Sequence, residues 1–497
     1  MSARRHLSPA LRRSLWKPDR SPATTRLVST SPARNSIQYI TYANRKKQAT
    51  PRASQDEEDP DNPFSRAHIP IFRQNTGVKR IQPTLNAALP VMLLRDMCTC
   101  PLCVDSSTRQ KLFSTTDIPA EINLQNAAEK PGGYEISWVN DIPGFDEGHK
   151  SYFSHETFKA MATQGTSKIL PSLPERVFWK DGDLCAVVSD IPYEAYMHDD
   201  RTLYKALQQL HTHGLMFLTG VPSSSESIVN ITNRIGPLKN TFYGATWDVR
   251  SVPQPKNVAY TNDDLGFHMD LMYMEQPPHL QFLHCMRSSA KGGASLFADS
   301  FTAVEQLFNE DERAFGELQR REITFHYDHM NSHYYKYRRP LIELDTLRFA
   351  NLEFDTWVGF KRWMTKNPGM LSYESKFKLR DWLQAVSWSP PFQGPFELDT
   401  IWDHYENRSE KSEASVRRWH AAARKFTDII HQPENIHERT MKPGECVIFD
   451  NRRVLHARRA FEVGDAGVER WLRGSYLDKD PFMSKLRVLQ HRFETRD

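Results

Sequence analysis

This chain is poor in cysteine, with six in 497 residues. That density argues against a disulfide framework and suits a reducing compartment. The chain also lacks any apolar run approaching the ~18 residues that a membrane-spanning helix needs. Acidic residues are almost missing from the first 55 positions, where Asp19 stands alone against 12 Lys and Arg. That segment carries +11 while the whole chain carries +4, so the remainder carries −7. An acidic body argues against a nucleic-acid enzyme. No internal repeat is found. What remains is ordinary globular composition, 39% hydrophobic, 11% aromatic and 25% charged, in a length that accommodates two or three domains.

Residues 1–55 are rich in Arg, Ser, Thr and Pro, and their opening, MSARRHLSPALRRSLWK, spaces Arg like a basic amphipathic helix. That is the composition of a mitochondrial transit peptide, with a disordered basic tail as the alternative. The acidic, Pro-containing stretch 56–65 reads as a linker, so 1–65 is expected to be leader and linker. Residues 66–180 are expected to form a small separate domain. It contains Cys98, Cys100 and Cys103. Thiols so close together are characteristic of a structural metal knuckle, which is tetrahedral and needs a fourth ligand. His149 is a candidate and His155 its competitor. A metal there would hold a small domain together.

Residues 181–497 read as the second domain. Leu184–Val188 looks like the strand core of a connector. From Asp199 a helix pattern begins, apolar at Leu203, Ala206, Leu207 and Leu210 and ended by Gly214. LMFLTGV follows as a buried strand, and SSSESIVNITNRIG as an N-capped helix. TFYGATWDV and NVAYT read as short strands. AVEQLFNEDERAFGELQRRE and SEASVRRWHAAARKFTDIIH have helical periodicity, and Phe360–Glu406 reads as insertions and cover loops. CVIFDN, RRVLHARRAF and RWLRGSYLD read as closing strands, and the tail as a helix.

The chemistry is suggested by His268-Met269-Asp270. On a strand, residues i and i+2 share a face, so His268 and Asp270 can reach one metal ion. The best second imidazole is His456, just after an apolar run that reads as a buried strand. Two His and one carboxylate with open positions form the facial triad of non-haem Fe(II) oxygenases. An H-x-D tripeptide alone is a weak signal. Many short strands around a metal imply a double-stranded β-helix, the jelly-roll or cupin barrel. The expected fold is therefore mainly β with α, a jelly-roll catalytic domain with a small N-terminal zinc-binding domain.

Several separated segments then agree with one family. From about residue 90 to the C-terminus the chain resembles the Fe(II)- and 2-oxoglutarate-dependent oxygenases of the TauD/TfdA superfamily, and within it the γ-butyrobetaine dioxygenase family. The segments are Arg95-Asp96-Met97-Cys98-Thr99-Cys100-Pro101-Leu102-Cys103, TFYGATW, NVAYT, FHMD, GGASLFADSF, FDNRRVLHARR and GSYLD. The resemblance implies iron on His268, Asp270 and His456. It implies Arg470 as the partner of the distal carboxylate of 2-oxoglutarate, with the Ser295 hydroxyl beside it. It implies Zn on Cys98, Cys100, Cys103 and His149. A quaternary ammonium has no N–H to donate and is held by aromatic faces; the implied cage is Tyr243, Trp247, Tyr260 and Tyr476, with Asn257 as a polar contact. The implied reaction is hydroxylation of γ-butyrobetaine to L-carnitine, consuming O2, releasing CO2 and succinate, and using ascorbate as reductant. Alternatives are trimethyllysine or another betaine or carboxylate as substrate and, from a different class, a catalytically silent cupin-like binding protein. A homodimer is implied, and a mitochondrial matrix location if the leader is a transit peptide, cytoplasmic otherwise. Two departures bear on the substrate: Leu271 replaces an aromatic polar residue of the family, and the region from about 330 to 430 is longer than the family core.

Overall fold

The computed structural model describes residues 89–145, 148–164, 173–250, 262–288, 291–345, 379–397, 408–462 and 470–494. The expected leader and linker lie outside this set. The chain divides into two compact units, Met1–Tyr152 and Phe153–Asp497.

In the smaller unit a short helix, Val91–Asp96, precedes strands β1 (Asn123–Lys130), β2 (Gly133–Val139) and β3 (Lys150–Ser154), which form a sheet in the order β1-β2-β3. Ile136 is fully buried, and the Trp138 indole N–H donates to Ser151 Oγ at 3.0 Å.

The break falls at 152 rather than near 180 because the residues before 180 are tied to the larger unit. Trp179 is buried there, its indole N–H donates to His213 O at 2.7 Å, and its backbone N–H donates to Asp299 Oδ2 at 3.1 Å.

The larger unit is a mixed α/β fold. Its strands are β4 (Ile191–Pro192), β5 (Leu215–Thr219), β6 (Thr246–Arg250), β7 (Leu265–His268), β8 (Leu280–Arg287), β9 (Ser295–Asp299), β10 (Glu322–His329), β11 (His333–Pro340), β12 (Ile342–Leu344), β13 (Leu383–Val386), β14 (His437–Arg439), β15 (Cys446–Asp450), β16 (Val454–Arg458) and β17 (Trp471–Leu477). A six-stranded sheet runs β4-β5-β15-β8-β17-β6 and a four-stranded sheet runs β14-β9-β16-β7. Both sheets interleave early and late strands, so the ends of this unit are paired through β15–β5 and β16–β7.

The helix Asp200–His213 follows the sequence reading. The Asp199 carboxylate accepts from the backbone N–H of Arg201 and Thr202, and Leu203, Leu207 and Leu210 form its buried stripe. Gly214 stops it at φ +73, where an added Cβ would meet Val454 Cγ2 at 3.0 Å; only glycine takes that conformation without cost. The apolar stretch 300–320 forms two helices, Ser300–Glu310 and Glu312–Arg320, because Asp311 caps the second. The helix Arg408–Ile430 buries Trp419, Phe426 and Ile430 against the same core.

Three expectations are corrected. Leu184–Val188 is not a strand. Asp181–Val187 is helical, with only Leu184 buried and Cys185, Ala186 and Val187 exposed; Asp181 and Asp183 lie in its first turn, where the helix dipole favours acids. The helix Ser227–Ile235 forms without a side-chain cap, since Ser227 Oγ donates instead to Pro222 O. The segment Phe360–Glu406, read as insertions and cover loops, contains within its described residues the short helix Leu379–Trp382 and the strand β13, which pairs with β12 from Ile342↔Val386 to Leu344↔Leu383. Among the described residues no helix is long and apolar enough to cross a membrane.

Candidate active site

Strands β7 and β16 pair antiparallel, and their register sets His456 opposite His268. Directly opposed residues share a face, and the two rings lie 4.1 Å apart. β7 ends at His268; Met269, just beyond it, is fully buried, and Asp270, in the turn that follows, comes back beside His268. His268 Nε2 lies 3.4 Å and His456 Nε2 3.9 Å from Asp270 Oδ1. The three donor atoms lie within 4.8 Å of one another.

Each donor is held by a neighbour. His268 Nδ1 donates to Gly266 O at 2.8 Å, which turns Nε2 toward the cluster. The Asp270 backbone N–H donates to Asn451 Oδ1, and Asn451 Nδ2 donates back to Asp270 O, at 2.8 and 2.9 Å. The Tyr476 hydroxyl donates to Asp270 Oδ2 at 2.6 Å. Leu271 follows at φ 62, in the left-handed region that a bulky residue rarely adopts; strain of that kind concentrates at functional sites.

Burial alone would raise the Asp270 carboxyl, but the His268 hydrogen bond and the nearby His456 hold it well below the usual range. Burial, with His268 beside it, pushes the His456 imidazole down to about 3. Its Nδ1 is buried, with no hydrogen-bond partner among the described residues. Burial and Asp270 push the Tyr476 phenol well above its ordinary value, so it remains a donor. Neutral imidazole and ionised carboxylate are the states that metal ligation requires. This donor set fits Fe(II).

The cluster opens on a cavity that also contains Arg470, Arg458, Ser295, Tyr243, Trp247, Tyr273, Phe392 and Tyr476. Arg470 is only 7% exposed, and among the described residues no carboxylate pairs with it. Burial, with Arg458 as neighbour, lowers it to about 10, so it remains a cation. A buried unpaired charge is costly, and a carboxylate ligand would relieve it bidentately. Ser295 opens β9 opposite Arg458. Trp247 stacks on Tyr476, centroids 3.9 Å apart at 23°. Its cross-strand partner is Gly474, where a Cβ would fall 2.5 Å from the indole.

Of the residues singled out from sequence, the structure thus brings His268, Asp270, His456, Arg470, Ser295, Tyr243, Trp247 and Tyr476 to one cavity. Asn257 and Tyr260 lie outside the described residues. Sequence reading missed Asn451, Tyr273, Phe392 and Gln281. Gln281 lines the cavity, is 2% exposed, and its Oε1 has no partner among the described residues. Tyr273, three residues after Asp270, was the most visible of these.

The smaller unit contains the second candidate centre. His149 Nε2 lies 3.7, 3.4 and 3.3 Å from the sulfurs of Cys98, Cys100 and Cys103. Metal bonds of ~2.0–2.3 Å in a tetrahedron give ligand separations of this size. Asp141 Oδ2 accepts from His149 Nδ1 at 2.6 Å, and Asp141 Oδ1 accepts from Arg95 Nε at 2.5 Å. Arg95 is fully buried and its Nη1 donates to Cys103 Sγ at 3.3 Å. The Cys103 hydrogen bond leads in lowering the Cys98 thiol to about 4. The competitor His155 instead opens the helix His155–Gln164.

A profile of the family described as "Taurine catabolism dioxygenase TauD, TfdA family" matches residues 180–476. The chain is 33% identical over 428 residues to "Dioxygenase str8" of Strobilurus tenacellus, covering 82% of this chain and 86% of that protein. It is 30% identical over 400 residues to "Gamma-butyrobetaine dioxygenase" of Pseudomonas sp. (strain AK-1), covering 80% and 89%. It is 25% identical over 406 residues to "Trimethyllysine dioxygenase, mitochondrial" of Rattus norvegicus, covering 80% and 81%.

Proposed function

We propose that this chain, which belongs to the TauD, TfdA dioxygenase family, hydroxylates γ-butyrobetaine to L-carnitine. It is a 2-oxoglutarate-dependent dioxygenase, and its relatives support a betaine-like substrate. The observation that carries the reading is one cavity joining a His/Asp/His donor set, an unpaired buried Arg470 and stacked aromatic rings.

His268, Asp270 and His456 would hold Fe(II). When bound, Fe(II) with 2-oxoglutarate supplies the O2 chemistry that hydroxylates an unactivated carbon and releases succinate and CO2. Asn451 and Tyr476 keep the Asp270 carboxylate aimed. Arg470 takes the distal carboxylate of 2-oxoglutarate through its planar fork, with the Ser295 hydroxyl donating beside it. Tyr243, Trp247 and Tyr476 present faces to the trimethylammonium, each contact contributing roughly 0.5–2 kcal/mol. Because Tyr476 both stacks on Trp247 and bonds Asp270, the substrate cation would sit at a fixed offset from the iron ligands. That orientation, in a water-poor cavity, selects one carbon.

The two interleaved sheets are read as the double-stranded β-helix. Zn on Cys98, Cys100, Cys103 and His149, ascorbate as reductant, a homodimer and a matrix location from the basic leader are parts of the same reading. The second substrate reading, trimethyllysine or another betaine, draws on Leu271, a buried apolar side chain lining the cavity beside Asp270. Succinate release with Fe(II), 2-oxoglutarate and ascorbate, compared among γ-butyrobetaine, trimethyllysine and no substrate, decides between them. Stimulation by γ-butyrobetaine with carnitine detected by mass spectrometry is expected. Stimulation by trimethyllysine alone would replace the substrate.

A further inference from the structure

A third cluster of donor atoms lies in the larger unit, outside the active-site cavity, and the dioxygenase reading has no use for it. Asp181 and Cys185 lie one turn apart on the helix Asp181–Val187, and His437 opens the edge strand β14. His437 Nδ1 lies 2.8 Å from Asp181 Oδ1 and 3.9 Å from Cys185 Sγ, and Cys185 Sγ lies 3.6 Å from Asp181 Oδ1. A triangle with those sides has its centre about 2.0 Å from each corner, within reach of the ~2.0–2.3 Å bonds that Zn makes to carboxylate, imidazole and thiolate. The His437 ring is fixed by Phe217 and Phe297, with centroids at 5.9 and 6.4 Å. Cys185 is exposed, whereas Cys285 and Cys446 are buried, so a fourth position faces water.

We propose that Asp181, Cys185 and His437 form a surface site for a borderline divalent cation such as Zn2+, water completing the tetrahedron. Three donor types from two elements distinguish it from an exposed acidic pair. A thiolate beside an imidazole selects Zn2+, Cd2+ or Co2+ over the oxygen-seeking Mg2+ and Ca2+. On binding, the Cys185 S–H bond breaks, its proton passes to water and an S–metal bond forms. His437 turns its Nδ1 lone pair to the metal and carries its proton on Nε2. The ion then ties the helix to β14. In the β14–β9 register His437 stands opposite Phe297, a residue of the cavity wall.

The test uses the purified full-length protein with its own metals in place. ZnCl2 is titrated while iodoacetamide labelling of Cys185 is followed by peptide mass mapping, which separates it from Cys98, Cys100 and Cys103. Because the thiolate is the nucleophile, Zn2+ is expected to slow Cys185 labelling about tenfold or more, and Mg2+ to leave it unchanged. Asp181→Asn and His437→Gln should each raise the Zn2+ needed for half-protection by about tenfold or more. Co2+ should give a thiolate charge-transfer band that Cys185→Ser removes. Failure of Zn2+ to protect Cys185 would overturn the proposal. So would protection that persists undiminished in both ligand variants, since a thiol acting alone would then account for it. Asp181 is only partly buried, so its variant tests the site even if His437→Gln folds poorly.

Discussion

The Cys98/Cys100/Cys103/His149 cluster and the His268/Asp270/His456 cluster answer one physical requirement in opposite ways. Buried charge must be compensated. In the smaller unit the compensation is internal. Four donors converge, Asp141 bridges His149 and Arg95, and Arg95 reaches Cys103. Four donors fill a tetrahedron and leave no place for a substrate. In the larger unit three donors sit on one side, their open side faces a cavity, and the cavity cation Arg470 has no carboxylate among the described residues. The first centre is complete as protein. The second is complete only with ligands, the difference expected between the proposed structural centre and the proposed catalytic one.

The largest effect should come from breaking the closed centre. Structural zinc contributes an apparent ~10–16 kcal/mol in small zinc domains, and that binding energy is folding energy. On the proposed zinc reading, Cys98→Ser should therefore lose the metal and leave the smaller unit open to limited proteolysis, while residues from 153 onward remain protected. A variant that kept both its zinc and its protection would erase the contrast. Next in size is the open centre. Asp270→Ala should cost at least the roughly 10²–10³-fold in turnover that loss of one active-site electrostatic group costs, with zinc content unchanged. Equal loss of zinc and activity would mean that the two centres are not independent.

What the sequence disclosed follows from the range of each interaction. Cys98, Cys100 and Cys103 are legible because their spacing is the motif. His268 and Asp270 are legible because an i, i+2 spacing at a strand end brings them together. His456 depended on reading the apolar run before it, and its facing of His268 depends on a β7–β16 pairing that no local pattern encodes. The hydrogen bonds of Asn451 and Tyr476 to Asp270 connect residues 181 and 206 positions apart, beyond any local signal. Leu184–Val188 misled because a five-residue apolar run fits a strand or a helix equally, and burial decides. The break at 152 was illegible for the same reason: what assigns the segment before 180 to the larger unit is the packing of Trp179 and its bonds to His213 and Asp299.

One substitution made in both centres sharpens the contrast. The fully buried Arg95 pairs with the partly buried Asp141. Arg95→Gln removes the guanidinium from that carboxylate and leaves it only His149 and the Ile142 N–H, and should destabilise the smaller unit by up to about 3–5 kcal/mol. Arg470 has no such partner among the described residues, so Arg470→Gln should leave thermal stability without 2-oxoglutarate unchanged or higher. It should raise KM for 2-oxoglutarate about 10–150-fold, the equivalent of the ~1.5–3 kcal/mol of a charged hydrogen bond. Melting curves with and without 2-oxoglutarate read both results. Destabilisation of the apo enzyme by Arg470→Gln would give that residue an internal partner and move the open centre toward the closed one.

The smallest effects divide the open centre itself, because Tyr476 touches both the ligand set and the aromatic wall. Tyr476→Phe removes the hydroxyl from Asp270 but keeps the ring on Trp247. It should weaken Fe(II) binding about tenfold, the lower end for a group that orients a ligand, with KM for the betaine unchanged. Trp247→Ala should do the reverse, raising the betaine KM roughly 2–30-fold, as expected from ~0.5–2 kcal/mol, while sparing succinate release without substrate. Iron titrations and paired KM values separate the two roles. If both variants lowered iron affinity and betaine affinity together, the stacked pair would act as one structural block, and the aromatic wall would belong to the metal site rather than to the substrate.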